Sequence, residues 1–377
     1  VKYIDEFRDP KLAASLLADI HARMPDRPPD NPLKLMEVCG GHTHAIHRAG
    51  LPSLLPDSLE LVHGPGCPVC VTPTGRIDDA VVLASEEKSI LCTFGDAARA
   101  PGSKGSLLDA KATGADVRVV YSPLDALALA ETHPDREVVF FAVGFETTAP
   151  AVAATIVRAR RQGIPNFSVL SNHVLVVPGL KAILARPGSK LEGFIGPGHV
   201  SCTIGSEPYR FIPEEHGLPI VISGFEPLDL LQALLMLLDQ LTQGRCEVEN
   251  QYQRAVQPHG NPTAKAIISQ VFRARPHFAW RGLGPVPGGG LRLRDEFAAF
   301  DAEERFSLPG KSVPDPKACR CGEVLVGAKK PWECGAFATR CTPENPLGAC
   351  MVSSEGACAA SYAYEHRRQV SWEKATG

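Results

Sequence analysis

Two cysteines three residues apart, Cys67 and Cys70, stand in HGPGCPVC (63–70), a loop of glycines and prolines that follows the apolar run LELV. Thiols at this spacing serve as half of a zinc site, as a redox pair, or as soft ligands to another metal. A zinc ribbon needs a second CxxC, and the sequence has none. A thioredoxin-like dithiol sits at a helix N-terminus, whereas here VTPTGR (71–76) separates the pair from the next helical pattern. The remaining first-half thiol of interest is Cys39 in CGGHTH (39–44), with His42 and His44 close by. Three soft ligands or redox thiols converging from neighbouring loops fit best. Thiolates favour iron, copper(I) or zinc, and glycines let a bulky group approach. Spacing alone goes no further.

Six more cysteines crowd the tail: Cys319, Cys321, Cys334, Cys341, Cys350 and Cys358. Six suffice for an iron–sulfur cluster with two left over, but the spacing matches neither the bacterial nor the plant-type ferredoxin run. A zinc-stapled tail is the plainer alternative. Cys92 and Cys246 read as small apolar filler. Cys202, beside His199, is a second candidate for a cleft thiol but stays outside the expected site.

The elements that must position these residues follow one rhythm from about residue 33 to 235. Eight short apolar runs, KLMEV, LELV, SILCTF, VRVVY, VVFFAV, FSVL, GFI and PIVI, each end in a turn. Helical patterns alternate with them, among them RIDDAVVLASEEK, APAVAATIVRARRQ and PLDLLQALLMLLDQL. Buried strands alternating with helices imply parallel sheets under helical cover, as one barrel or two four-stranded halves. The echoes GPGC (64–67) and GPGH (196–199), and GFE at 144–146 and 224–226, favour two halves. Ligands bind beyond the carboxyl ends of such strands. There lie Cys39, His42, the CxxC, Glu146 with Thr147 and Thr148, His173 and His199. After about residue 245, QPHGNPTAKAIISQVF reads as a loop leading into a helix, GLGPVPGGG as a flexible connection and RLRDEFAAFDAEERF as a helix. Beyond KSVPDPKA the chain is too poor in apolar residues to fold without a metal centre.

At 377 residues, 44% hydrophobic and 21% charged, two or three domains with sizeable cores are expected. A net charge of −3 gives no case for nucleic acid or an anionic membrane. No apolar stretch is long enough for a membrane span. VKYIDEFRDPKL carries charges where a signal peptide would be apolar, so a cytoplasmic location is expected.

Together, CGGHTHAI (39–46), HGPGCPVC, GFETTAP (144–150), SNH (171–173), GPGHVS (196–201) and the tail from CRCG to GACMVSSEGACAA resemble the HypD family of hydrogenase maturation factors across essentially the whole chain. The resemblance implies an α/β fold of two similar parallel-sheet domains, 31–121 and 122–235. A mixed, Cys-rich iron–sulfur domain from 1–30 and 236–377 completes it. The family pattern C-x14-C-x6-C-x16-C places a [4Fe–4S] cluster on Cys319, Cys334, Cys341 and Cys358. Cys321 and Cys350 then correspond to a redox-active disulfide beside it, similar to ferredoxin–thioredoxin reductase. On that basis electrons would pass from the cluster through this pair to Cys67 and Cys70, cycling between dithiol and disulfide, and Glu355 is expected near that route. Cys39, Cys67 and Cys70 match the family's cleft thiols. Cys39 would be the ligand of an iron under construction, and His42 a ligand or proton partner. Implied partners are a HypC-like small chaperone, a HypE-like cyanide donor and, indirectly, the hydrogenase large subunit. The iron would transiently carry CN and CO on its way to Fe(CN)2CO, on a redox scaffold rather than a conventional enzyme. The competing readings are a stand-alone iron–sulfur thiol–disulfide reductase and a zinc-stapled scaffold.

Overall fold

The VVFFAV run lacks any polar alternation because its strand is covered on both faces: every residue from Val138 to Gly144 is buried. The same holds along the chain, and all eight apolar runs form strands. The computed structural model describes residues 2, 5–28, 30–308, 310 and 312–366. Its strands are β1 (Leu33–Glu37), β2 (Leu59–His63), β3 (Ser89–Thr93), β4 (Val117–Val119), β5 (Glu137–Gly144), β6 (Phe167–His173), β7 (Gly193–Gly196), β8 (Ile220–Ile222) and β9 (Val248–Asn250).

These strands make two open parallel sheets rather than a barrel. One has the order β2-β1-β7-β8-β9 and the other β4-β3-β5-β6. Counted within its own sheet, each begins 2-1-3-4, so both wind the same way and reverse direction beside their first strand. The two similar parallel-sheet units expected from the sequence are therefore present. Their strands do not divide at residue 121, however. The first sheet takes residues 33–63 and 193–250, and the second, 89–173, is inserted between them. Consecutive strands tempt a reader to group them, but the second neighbour of β1 is β7, about 160 residues on.

The N-terminal segment also belongs elsewhere than with the Cys-rich tail. Helix α1 (Pro10–Arg23) buries Ile20 in the core cluster of Leu231, Leu234 and Leu238, which lie on the helix Pro227–Thr242 covering the first sheet. Arg23 also reaches Asp239 at 2.6 Å on that helix.

Three further helices frame the thiols: α2 (Gly40–Ala49), α3 (Pro68–Val71) and α4 (Thr74–Ala84). After the second sheet come β10 (Phe272–Ala274), β11 (His277–Trp280), β12 (Gly284–Pro287) and β13 (Leu291–Leu293). GLGPVPGGG is thus no loose connection, since β12 pairs antiparallel with β11 and Trp280 Nε1 donates to Gly289 O at 2.8 Å. Its prolines are tolerated in a two-stranded ribbon, where one edge needs no N–H. RLRDEFAAFDAEERF is likewise no single helix. Pairing with β10 claims Leu291–Leu293, and Asp301 caps a fresh turn by accepting from Glu303 N at 3.0 Å. Among the described residues no helix is long and apolar enough to cross a membrane.

The buried Arg76 pins α4, the helix that follows the CxxC, to β6. It donates to Asn172 Oδ1 at 2.6 Å, to Ser171 O at 3.2 Å and to Glu303 at 2.6 Å. Breaking one partner of such a buried pair costs about 3 kcal/mol. Arg76→Ala is expected to lower the denaturant midpoint accordingly, and an unchanged midpoint would show that α4 is held by packing alone.

Candidate thiol cleft and cysteine-rich pocket

The register of the first sheet places Glu37 of β1 beside His63 of β2 on one side and Ile195 of β7 on the other. The loops CGGH, HGPGC and GPGH therefore leave the sheet together. Cys39 follows β1 as the N-cap of α2, and its amide donates to Glu37 Oε2 at 3.0 Å. Glu37 is fully buried and also accepts from the Thr43 hydroxyl and from His63 Nδ1, the latter at 2.8 Å. The glycines have specific work here. A side chain on Gly66 would collide with the Cys39 backbone, and one on Gly41 would meet Phe225 at 2.8 Å and His199 at 3.1 Å.

Cys39 Sγ stands 3.8 Å from His199 Nδ1. The His199 ring is stacked on Phe225 with centroids 3.8 Å apart. A cleft of about 150 Å³ opens here, lined by Cys39, Pro68, Phe145, Thr147, His199 and Glu355 among others. It joins the strand ends of both sheets to the tail. Burial, reinforced by the Glu355 and Glu37 carboxylates, pushes the Cys39 thiol up to about 12. Without a cation beside it, the thiol keeps its proton. Burial also raises Glu355 and lowers His199.

His42 is placed differently from His199. It is fully buried, its Nε2 lies 3.1 Å from Ser223 O, and its Nδ1 has no partner. It packs on the Phe225 ring at 4.6 Å, and burial lowers its pKa. Glu146 and His173 are not among the cleft-lining residues. Glu146 accepts from Val176 N at 3.0 Å, and burial pushes it up to about 7. His173 lies against Phe272, lowered by burial to about 3, which makes it a neutral core histidine. Cys202 is also absent from the described lining. Strand-end position alone puts His199 near the site, and the structure brings it to the Cys39 sulfur. Phe225 and Glu37 escape a reading of the sequence, although GFE (224–226) stands out as an echo.

Cys67 and Cys70 are joined as a disulfide with their Cα atoms 5.2 Å apart. The pair does open a helix, contrary to the sequence expectation. Cys67 is the N-cap of the one-turn α3, accepting from Cys70 N at 3.2 Å, with Pro68 at the first helical position. A four-residue helix leaves no periodicity to detect. Cys70 Sγ lies 3.9 Å from Ala349 O, next to Cys350. Cys350 in turn is bonded to Cys321, with Cα atoms 6.0 Å apart.

The four other tail thiols, Cys319, Cys334, Cys341 and Cys358, are free and line one pocket, whose wall also carries Cys321 and Cys350. Burial and the three neighbouring sulfurs raise the Cys358 thiol strongly. Backbone amides point at two of these sulfurs: Cys321 N to Cys319 Sγ and Leu347 N to Cys341 Sγ, both at 3.4 Å. Gly348 leaves the Cys319 sulfur room that a Cβ would fill. Among the described residues no three Cys, His, Asp or Glu side chains form a site for a single metal ion.

Paired parallel sheets with thiols at their strand ends, closed by a cysteine-rich tail, define a class of thiol-bearing α/β protein. Comparison with known sequences is more specific. Residues 11–365 match the family HypD, described as "Hydrogenase formation hypA family". The chain is 56% identical to hydrogenase maturation factor HypD of Azotobacter vinelandii over 98% of both chains. It is 54% identical to that of Cupriavidus necator, over 98% of this chain and 99% of the relative. For Escherichia coli the figure is 47%, over 97% and 99%. The chain belongs to the HypD family of hydrogenase maturation factors.

With the Cys39 thiol near 12, its alkylation by iodoacetamide should rise about tenfold per pH unit from pH 7 to 10 without levelling off. The exposed Cys246 should label first. Peptide mapping by mass spectrometry reads both, and a plateau for Cys39 below pH 10 would contradict the buried, carboxylate-flanked setting.

Proposed function

We propose that this chain is the iron-binding redox scaffold on which, together with a HypC-like small chaperone, the Fe(CN)2CO group of a [NiFe]-hydrogenase is assembled. The supporting observation is a line of sulfur running from cleft to tail. Cys39 faces the cleft beside Pro68 of the CxxC, Cys70 touches Ala349, and Cys350 is bonded to Cys321 in the wall of the four-thiol pocket. A disulfide reductase acting alone has no use for a separate thiol walled in at another strand end.

The iron is cargo, held by Cys39 and a cysteine of the small chaperone while cyanide arrives from a HypE-like donor and carbon monoxide completes the set. Burial keeps the Cys39 thiol protonated until a cation arrives, so binding must displace that proton. His199 Nδ1, at 3.8 Å, is placed to take it. His42 keeps Nδ1 without a partner while Nε2 is tied to Ser223 O, but it is fully buried and outside the cleft lining, which leaves it a proton partner rather than a ligand of the iron. Phe145 and Thr147 of the second sheet and Glu355 of the tail wall the cleft against water.

The four free thiols fit a [4Fe–4S] cluster: they are unpaired, line one pocket, and two of them, Cys319 and Cys341, receive backbone N–H groups. When bound, such a cluster supplies electrons singly beside the Cys321–Cys350 bond. Opening that disulfide takes two electrons and two protons. The resulting dithiol can exchange with Cys67–Cys70, one pair closing as the other opens, with no net change in electrons.

Anaerobically purified protein should contain about four iron and four acid-labile sulfide per chain, both lost in Cys334→Ala. Zinc without sulfide would overturn the cluster. Cys39→Ala should abolish hydrogenase maturation in cells while leaving the iron–sulfur content intact, and maturation at the normal level would remove Cys39 from the iron's path. Cys321→Ser should keep the cluster and lose one reducible disulfide by thiol counting.

A further inference from the structure

Two imidazoles stand outside everything the chemistry above uses. His47 in the last turn of α2 and His63 at the end of β2 face one another with their Nε2 atoms 3.0 Å apart. Each has its other nitrogen on a carboxylate: His63 Nδ1 is 2.8 Å from Glu37, and His47 Nδ1 is 3.0 Å from Glu365. Both side chains are shielded, at 2% and 10% exposure. Three nitrogen contacts in this row need three protons, whereas two neutral imidazoles bring only two. One further positive charge belongs there. A third proton would make a buried imidazolium, and burial lowers His47 against that charge. With the Nδ1–H of His63 given to Glu37 and the Nδ1 of His47 at ion-pair distance from Glu365, both Nε2 atoms are left facing one another with lone pairs free for a shared cation. A carboxylate on the far nitrogen of each ring is what orients histidines as metal ligands and strengthens them as donors.

We propose that His47 and His63 form a two-imidazole site for a divalent first-row transition-metal ion, with Glu365 and Glu37 as its outer carboxylates. An ion 2.0–2.1 Å from each nitrogen requires the rings to part by roughly 0.3 Å. Water completes the coordination from the adjoining cavity of about 730 Å³, which is lined by His47, Glu365, Tyr364 and Trp332 among others. Two protein ligands fall short of the three or four of a resident zinc site, as suits an ion that is passed on. Imidazole is a ligand for iron(II), nickel and zinc alike, with iron(II) the most weakly held of the three. The direction of passage follows from Glu37, whose Oε1 holds His63 and whose Oε2 holds the Cys39 amide. The pair therefore stands one carboxylate away from the Cys39 backbone, and its His47 borders the open cavity. That the ion is iron bound for Cys39 rests on the proposed function; the binding itself rests on the row of contacts.

The test is anaerobic equilibrium dialysis against cobalt(II), using the full, cluster-loaded chain with Cys39→Ala so that the cleft thiol cannot contribute. One cobalt per chain is expected, bound at least tenfold more weakly after His63→Gln or His47→Gln. Glu365→Gln, at the cavity rim and leaving both ligands in place, should weaken it about tenfold through the outer shell. If the histidine variants melt early, Glu365→Gln decides alone. Cobalt binding no stronger than in the His47→Gln/His63→Gln double variant would mean that the rings share only a proton, and the site would be overturned. An affinity indifferent to Glu365→Gln would overturn it too. Because the dialysis omits Cys39, maturation by Cys39→Ala protein would sink the function while leaving the metal site standing.

Discussion

A fully buried carboxylate holds the cleft together. Glu37 ends β1, and burying such a group costs several kcal/mol unless its lone pairs are filled. They are filled by the Cys39 amide and the Thr43 hydroxyl at the start of α2 and by His63 at the end of β2. The penalty is offset only in this one arrangement, so the Cys39 backbone, the start of α2 and the end of β2 are locked to each other. Gly66 lying flat on the Cys39 backbone, and Gly41 under Phe225, follow from that locking, because no side chain fits between elements held so close.

The rest of the molecule brings remote chain to this point. The repeated 2-1-3-4 winding gives each sheet a crevice beside its first strand, and the two sheets turn those ends toward one another, so that Phe145 and Thr147 face Cys39 and His199. The tail closes the third side. His44 lies 3.3 Å from Ser354 O, and Glu355 packs against Gly40, so α2 carries the cleft thiol at its start and the tail along its flank.

Much of this was legible in the sequence, and what was not has physical reasons. The strands announced themselves because burial on both faces leaves uninterrupted apolar runs. Their partners did not, because parallel pairing obeys no local signal, and so the inserted second sheet and the docking of α1 on the first were missed. At the cleft, residue type and strand-end position pointed to Cys39, the CxxC and the histidines. Which histidine meets the sulfur depends on the 160 residues between Cys39 and His199 and on the Phe225 ring stacked between elements, none of which spacing records. In the tail, composition showed only that six thiols must be satisfied somehow. The division into four and two comes from the family pattern alone; Cys321 and Cys350 are bonded to each other, and all six cysteines line one pocket.

Phe337 lines both the large cavity beside His47 and the pocket of tail thiols. The same aromatic ring is therefore a wall of both. Whatever fills one of them and moves that ring reshapes the other as well.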